Sequence, residues 1–386
     1  MGPSRIAKTG LVAATAWLIL QLPAAALPLG ELARAAQRAG IDVGVAVDTN
    51  LNAARQAIAA SEFTSTTVEN RLKWGSLSPA QGVYDFSGAD ALVDQAEQNG
   101  QRIRGHTLFW DRLNGMPGWL EADVAGATDP VAHLTQLMQT HAATVVGRYA
   151  GRLAQWDVVN EPLAQLLPTM DPESLFFQTL GESYLDVAFH AAHAADPTAQ
   201  LFLNETLTEV PTRFDALLQI AQGMLDRAAP LHGIGLQGHF LLGPPDRTQL
   251  QSQLEAVAAM GLAVELTEVD ISLNHFLGDP DPLAAQARAY ADVFGACVAV
   301  TACTGVTVWG VDDGDTWLDT FALTAAGAPH RPLLFDAQGL PKPAYHAAVA
   351  ALPEPSLGAL LLLGGAALRR ASAQGRARAE SDRQRS

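Results

Sequence analysis

Basic residues are scarce in this 386-residue chain: 24 Lys and Arg stand against 40 Asp and Glu, for a formal net charge of −16. The deficit argues against nucleic acid as a partner, because such a protein needs a basic face to displace counterions from phosphates. It fits a soluble protein acting on a neutral or cationic partner. Cysteine is scarcer still, with only Cys297 and Cys303, separated by five residues in CVAVTAC. A metal site would need further ligands close by, so in an exported chain the two form one local disulfide or remain two free buried thiols. No glycine-rich dinucleotide turn follows the first predicted strand, which speaks against a doubly wound open sheet and its cofactor. No linker or low-complexity run divides residues 30–352, so a single domain is expected there, with no metal and no cofactor. What the chain does have is apolar residues: 48% are hydrophobic and only 17% charged, enough to bury a sizeable core.

Both ends read as processing signals. Arg5 and Lys8 precede an apolar run from Leu11 to Leu22, and Ala24-Ala25-Ala26 supplies small residues for cleavage, the layout of a secretory signal peptide over residues 1–26. At the other end Pro353-Glu354-Pro355-Ser356 leads into an apolar stretch, Leu357 to Leu368, and then Arg369-Arg370. The last 18 residues hold six arginines against only Glu380 and Asp382. That apolar stretch would rise only ~18 Å as a helix, short of a ~30 Å hydrocarbon core. A sorting signal explains the length better than a permanent span. Residues 353–386 resemble the Pro-Glu-Pro carboxy-terminal sorting signal of Gram-negative exporters that use an exosortase. The resemblance implies processing by that enzyme at the inner membrane and a secreted or cell-surface destination.

Between the ends, at 27–352, short β-branched runs alternate with longer alanine-rich segments of helical period. Strands are predicted at Asp42–Val47, Ser65–Glu69, Arg102–Leu108, Gln155–Asn160, Gln200–Asn204, Gly233–Gln237, Leu262–Thr267 and Gly305–Trp309. Helices are predicted at Leu51–Ala60, Gly88–Asn99, Pro130–Tyr149, Glu173–Ala195, Thr212–Arg227, Thr248–Met260, Pro282–Val298 and Pro343–Leu352. Eight strands each followed by a helix make an α/β fold, a single (β/α)8 TIM barrel.

In such a barrel, polar residues just past the C-terminal end of each strand face the mouth. Glu69, Asn70, Lys73, His106, Trp110, Asn160, Glu161, Asn204, Glu205, Gln237, His239, Glu268, Asp270, Trp309 and Trp317 all fall there. Two carboxylates across one cavity are what glycosidic cleavage requires: one protonated to donate to the leaving oxygen, the other ionised to attack the anomeric carbon. Glu161 in WDVVNEP and Glu268 in ELTEVDIS are the candidates. Asn160 can hydrogen-bond a sugar hydroxyl beside the reacting carbon, and His239 with Asp270 can orient and ionise Glu268. Flat indoles stack on pyranose faces. By this reading Trp74, Trp309 and Trp317 belong to the mouth and Trp119 and Trp156 to the core, while His133 and His141 lie on a helix surface.

The sequence is similar to glycoside hydrolase family ten, the retaining endo-β-1,4-xylanases. The resemblance runs from about Thr64 to Ala347 through TSTTVENRLKWGSLSPAQGVYDFSGAD, RGHTLFW, WDVVNEP, GIGLQGHF, LTEVDIS, GVTVWG and PLLFDAQGLPKPAY. It implies that Glu161 is the acid/base and Glu268 the nucleophile. Glu69, Asn70 and Lys73 would bind a glycone sugar, while His106, Trp110, Asn160, Gln237, His239, Trp309 and Trp317 would surround the sugar being cleaved. It also implies a disulfide where Cys297 and Cys303 fall, and xylan or a xylo-oligosaccharide as the bound partner of a monomer. The alternatives are a carbohydrate-binding cell-surface barrel and a β-glycanase of other specificity. Two departures stand out. Where the family has His-Ser-Gln after the tryptophan, this chain has Asp111-Arg112-Leu113 and a loop two residues longer before Pro117. Where the family often has Asn-Asp-Tyr-Asn, it has Asn204-Glu205-Thr206-Leu207, without the aglycone-side tyrosine.

Overall fold

The eight β-branched runs pair in parallel, each with its sequence neighbour and the last with the first, in a computed structural model that describes residues 28–112, 115–321 and 329–353. The strands are β1 (Asp42–Val47), β2 (Ser65–Val68), β3 (Arg102–Phe109), β4 (Gln155–Asn160), β5 (Gln200–Glu205), β6 (Gly233–Leu236), β7 (Ala263–Val269) and β8 (Cys303–Val308). β1 pairs with β8 through Val43 opposite Val306, which closes the (β/α)8 barrel. Because helices cover the outside and side chains fill the inside, the strands are buried along almost their whole length. The signal-peptide residues 1–26 and the sorting-signal residues 354–386 lie outside the described residues. Among the described residues no helix is long and apolar enough to cross a membrane.

Helix starts follow local chemistry. Asn52, Asp129, Asp246 and Asp281 each accept a hydrogen bond from a backbone N–H in the first turn that follows, and Pro130 and Pro282 occupy first-turn positions where no N–H is needed. The helix predicted over Glu173–Ala195 is instead two, Leu175–Leu180 and Ser183–Ala195. Gly181, at φ 59°, ends the first in a left-handed conformation that glycine adopts without penalty. Periodicity alone does not mark that break. A helix at Glu31–Ala39, ahead of β1, was not expected. It is tied down by Glu62, whose carboxylate accepts from the Leu32 amide at 3.2 Å and from the Tyr345 hydroxyl at 2.8 Å.

On the helix-facing side of the sheet, Trp156 lies fully buried over Gly105, where an added Cβ would fall 2.2 Å from the indole ring. The neighbouring interior is polar rather than aliphatic. Buried Arg104 donates to Asp157 at 3.0 Å and to Glu265 at 2.9 Å, and Gln155 and Thr304 also donate to Glu265. Burying such charges is costly unless they are fully paired, as they are here. Cys297 and Cys303 form a disulfide joining the end of the helix Pro282–Ala299 to the start of β8, so the free-thiol alternative falls away.

Two expectations need correction. His141 is not on a helix surface: it is fully buried on Pro130–Arg148, stacked 4.2 Å from Trp74, with the Tyr84 hydroxyl 3.2 Å away. Burial pushes its imidazole down to about 3, so it is neutral. Trp74 does not line the mouth either. It is buried beneath it against Phe109, Trp119 and His141, because the short helix Trp74–Leu77 turns its indole inward. Neither position is legible from a flanking polar residue alone.

Candidate active site

Glu161 and Glu268 leave the same rim on β4 and β7, with β5 and β6 between them. Glu161 follows β4 directly, and its backbone takes a positive φ of 53°, unusual for a residue with a side chain. Its amide donates to the Asn204 carbonyl at 2.8 Å, which holds this turn. Glu268 sits within β7, buried, its amide donating to the Gln237 carbonyl at 2.8 Å.

The two carboxylates meet different surroundings. Oε1 of Glu268 accepts from Asn204 at 2.6 Å and lies 4.0 Å from His106, while Oε2 lies 3.3 Å from Nε2 of His239. Burial by itself would raise this carboxyl, but the charges and hydrogen bonds of His106 and His239 outweigh it and hold Glu268 below the usual carboxylate range. His239 is in turn 3.1 Å from Asp270, which also accepts from the Trp317 indole at 2.8 Å. Burial pulls His239 down, yet Asp270 and Glu268 overcome it and raise the imidazole to about 10. The result is a charged His239 beside an ionised Glu268. His106 is oriented from beneath by Asp157 at 3.0 Å, which links the rim to the buried Arg104 network.

Glu161 is held less tightly. Gln237 donates to its Oε1 at 3.1 Å and to Asn160 at 3.2 Å, and Arg112 approaches Oε2. Glu161 is also less buried than Glu268. Asn204 ties the halves together. Its amide nitrogen donates to Asn160 at 2.7 Å as well as to Glu268, and its oxygen accepts from Thr267 at 2.7 Å.

On the adjoining wall, Lys73 donates to Asn70 at 2.8 Å, Asn70 donates to Asp48 at 3.0 Å, and the Lys73 ammonium lies 4.8 Å from the centre of the Trp110 ring. Burial lowers the Lys73 ammonium against the opposing pull of Glu69, Glu268, Glu161 and Asp48, and burial likewise raises Glu69. Trp309 stands edge-on to His106 at 5.1 Å and to His239 at 6.2 Å, and Trp317 packs 4.9 Å from His239. All twelve expected catalytic and sugar-binding residues, with Asp270, therefore collect at the C-terminal ends of the strands. Asp48 and Asp157 also belong to this constellation and have no place in the sequence reading, while Asn204 stands there only as a mouth residue without a role and Arg112 only as a departure from the family pattern. Asn204 carried the one usable signal, its place at the end of a strand.

The family model described as Glycosyl hydrolase family 10 matches residues 31–351. Endo-1,4-beta-xylanase B of Paenibacillus barcinonensis is 34% identical over 312 residues, 78% of this chain and 93% of that protein. Beta-1,4-xylanase of Dictyoglomus thermophilum is 38% identical over 292 residues, 73% of this chain and 80% of that protein. Among solved structures, native xylanase 10B from Thermotoga maritima superposes with a TM-score of 0.75 at 30% identity, covering 83% of this chain and 97% of that one.

Proposed function

The chain belongs to glycosyl hydrolase family 10, and from that premise we propose that it is an endo-1,4-β-xylanase cleaving internal bonds of xylan by double displacement with retention. The observation that carries this reading is the pair of glutamates joined through Asn160, Asn204 and Gln237. In the first step ionised Glu268 attacks the anomeric carbon. The glycosidic C–O bond breaks, and Glu161 gives its proton to the leaving oxygen. In the second, water adds to that carbon, its proton passes to Glu161, and the Glu268 carboxylate departs with the electron pair of the ester bond. His239 and His106 favour the ionised Glu268 from which the attack begins.

Xylose fits and glucose does so poorly, on this reading, because Glu69, Asn70 and Lys73 clamp ring hydroxyls while Trp309 or Trp317 crowds the place of a hydroxymethyl group. Trp317 is fixed by its bond to Asp270 and so cannot easily yield. Xylo-oligosaccharides are expected to be cleaved with kcat/KM about tenfold or more above cello-oligosaccharides, and NMR should find the β-anomer as first product. Comparable constants on both series would favour a broader β-glycanase, an α-anomer would refute retention, and binding without release of reducing sugar would indicate a binding barrel.

We further propose that residues 1–26 direct export and that residues 353–386 sort the enzyme at the inner membrane, adding nothing to catalysis. The last described helix, Pro343–Ala351, already buries Leu352 behind it. A chain ending at Leu352 should keep activity and Tm but lose surface retention in its host. Unfolding of that truncation would show the tail to be part of the domain.

A further inference from the structure

We propose that Arg112 is a positioning residue for Glu161, holding that carboxylate for its work as a base in the second half of the reaction. The inference rests on the acid/base reading of Glu161. Arg112 stands within Asp111-Arg112-Leu113, where the resembled family has His-Ser-Gln, so it is a property of this chain. Its Nη2 is committed to the loop that follows Glu161, donating to Asp171 at 2.9 Å and to the Leu163 carbonyl at 2.6 Å. Asp171 is itself fixed there, its amide bonded to the Pro162 carbonyl at 3.0 Å. Nε of Arg112 is buried and makes no hydrogen bond among the described residues, yet it lies only 3.3 Å from Oε2 of Glu161. A buried donor without a partner is costly, and a small rotation of the carboxylate would supply one.

The other oxygen of Glu161 already accepts from Gln237 at 3.1 Å. Each oxygen is therefore faced by a donor, one of them a guanidinium that accepts no proton and does not release its own. Such a pair fixes the direction in which the carboxylate lone pairs point, and with it the place where a water can be met. The carboxylate is the form that starts the second step, when Glu161 takes a proton from the water adding to the anomeric carbon and Glu268 leaves. The protonated form starts the first. Removing Arg112 should therefore slow the second step more than the first.

Kinetics on the full chain can separate the two. Dinitrophenyl β-xylobioside, with its good leaving group, reports the second step in kcat, and phenyl β-xylobioside reports the first in kcat/KM. For Arg112→Met the first constant should fall about tenfold or more, the scale of one charge-assisted hydrogen bond, while the second changes less than about threefold. Glycosyl-enzyme should accumulate in the steady state and appear in the mass of the quenched protein. Arg112→Lys, which keeps the cation, should recover part of the loss, and ethylguanidinium should restore the second step in Arg112→Ala. An equal fall in both constants, with no rescue by ethylguanidinium, would make Arg112 merely a loop anchor and overturn the inference. Should Arg112→Met fail to fold, the same ratio measured on Arg112→Lys decides. Glu161→Ala serves as the control: if it shows neither leaving-group dependence nor azide acceleration, the fault lies in the acid/base reading and not in Arg112.

Discussion

Glu268→Gln should lose turnover on every substrate, including aryl glycosides whose leaving groups need no proton. An amide cannot form the glycosyl ester, so no first step exists for a good leaving group to rescue. The surroundings add to the loss. Nε2 of His239 lies 3.3 Å from Oε2, and a charged imidazole donates there; an amide NH2 in that place would set donor against donor. Turning the amide the other way would face the NH2 toward Asn204, which donates to Oε1 at 2.6 Å. A fall of about 10⁴-fold or more is expected, the scale seen when a covalent nucleophile is removed. Single-turnover assays with dinitrophenyl β-xylobioside check it: a burst of dinitrophenol from the variant would mean that another group is the nucleophile.

Glu161→Ala should behave differently from Glu268→Gln. Without a proton donor, hydrolysis of xylan should fall by about 10²–10⁴-fold, since its leaving alkoxide is poor. Aryl xylobiosides with acidic phenols should still glycosylate Glu268, because Glu268 with His106, His239 and Asn204 around it is left intact. The intermediate then waits on a water that nothing activates. Azide needs no general base and should accelerate this second step, giving a β-glycosyl azide that retains configuration. The check is a plot of rate against leaving-group acidity, steep in the variant and shallow in the parent. A flat plot and no response to azide would reverse the role assignment.

Much of this site was legible because a barrel converts strand order into position. Glu161 ends a run, QWDVV, whose apolar residues must be buried, and Glu268 ends another, so once eight such runs were counted both had to stand on one rim. Tertiary packing undid the expectations that relied on neighbours in sequence. Trp74 is followed and preceded by residues that suggest solvent, yet a single helical turn sends it beneath the mouth against His141. Gly181 breaks a helix whose apolar period continues unbroken across it. Arg112 and Asp171 are 59 positions apart and carry no shared pattern, so only the pairing of β3 with β4 brings them together.

The amino-acid sequence by itself determined the barrel, the order of its strands, and which residue types face the mouth, because burial of alternating apolar segments and the ends of strands are local, periodic properties. The tertiary structure alone decided which of those residues touch: that Asn204 binds both Asn160 and Glu268, that His239 is charged between Asp270 and Glu268, and that Arg112 reaches Glu161. The physical reason is range. Secondary structure follows from neighbours within a few residues, whereas a hydrogen bond or a shift in ionisation depends on distances of a few ångströms between groups that the chain brings together only when the strands pair and the sheet curves round.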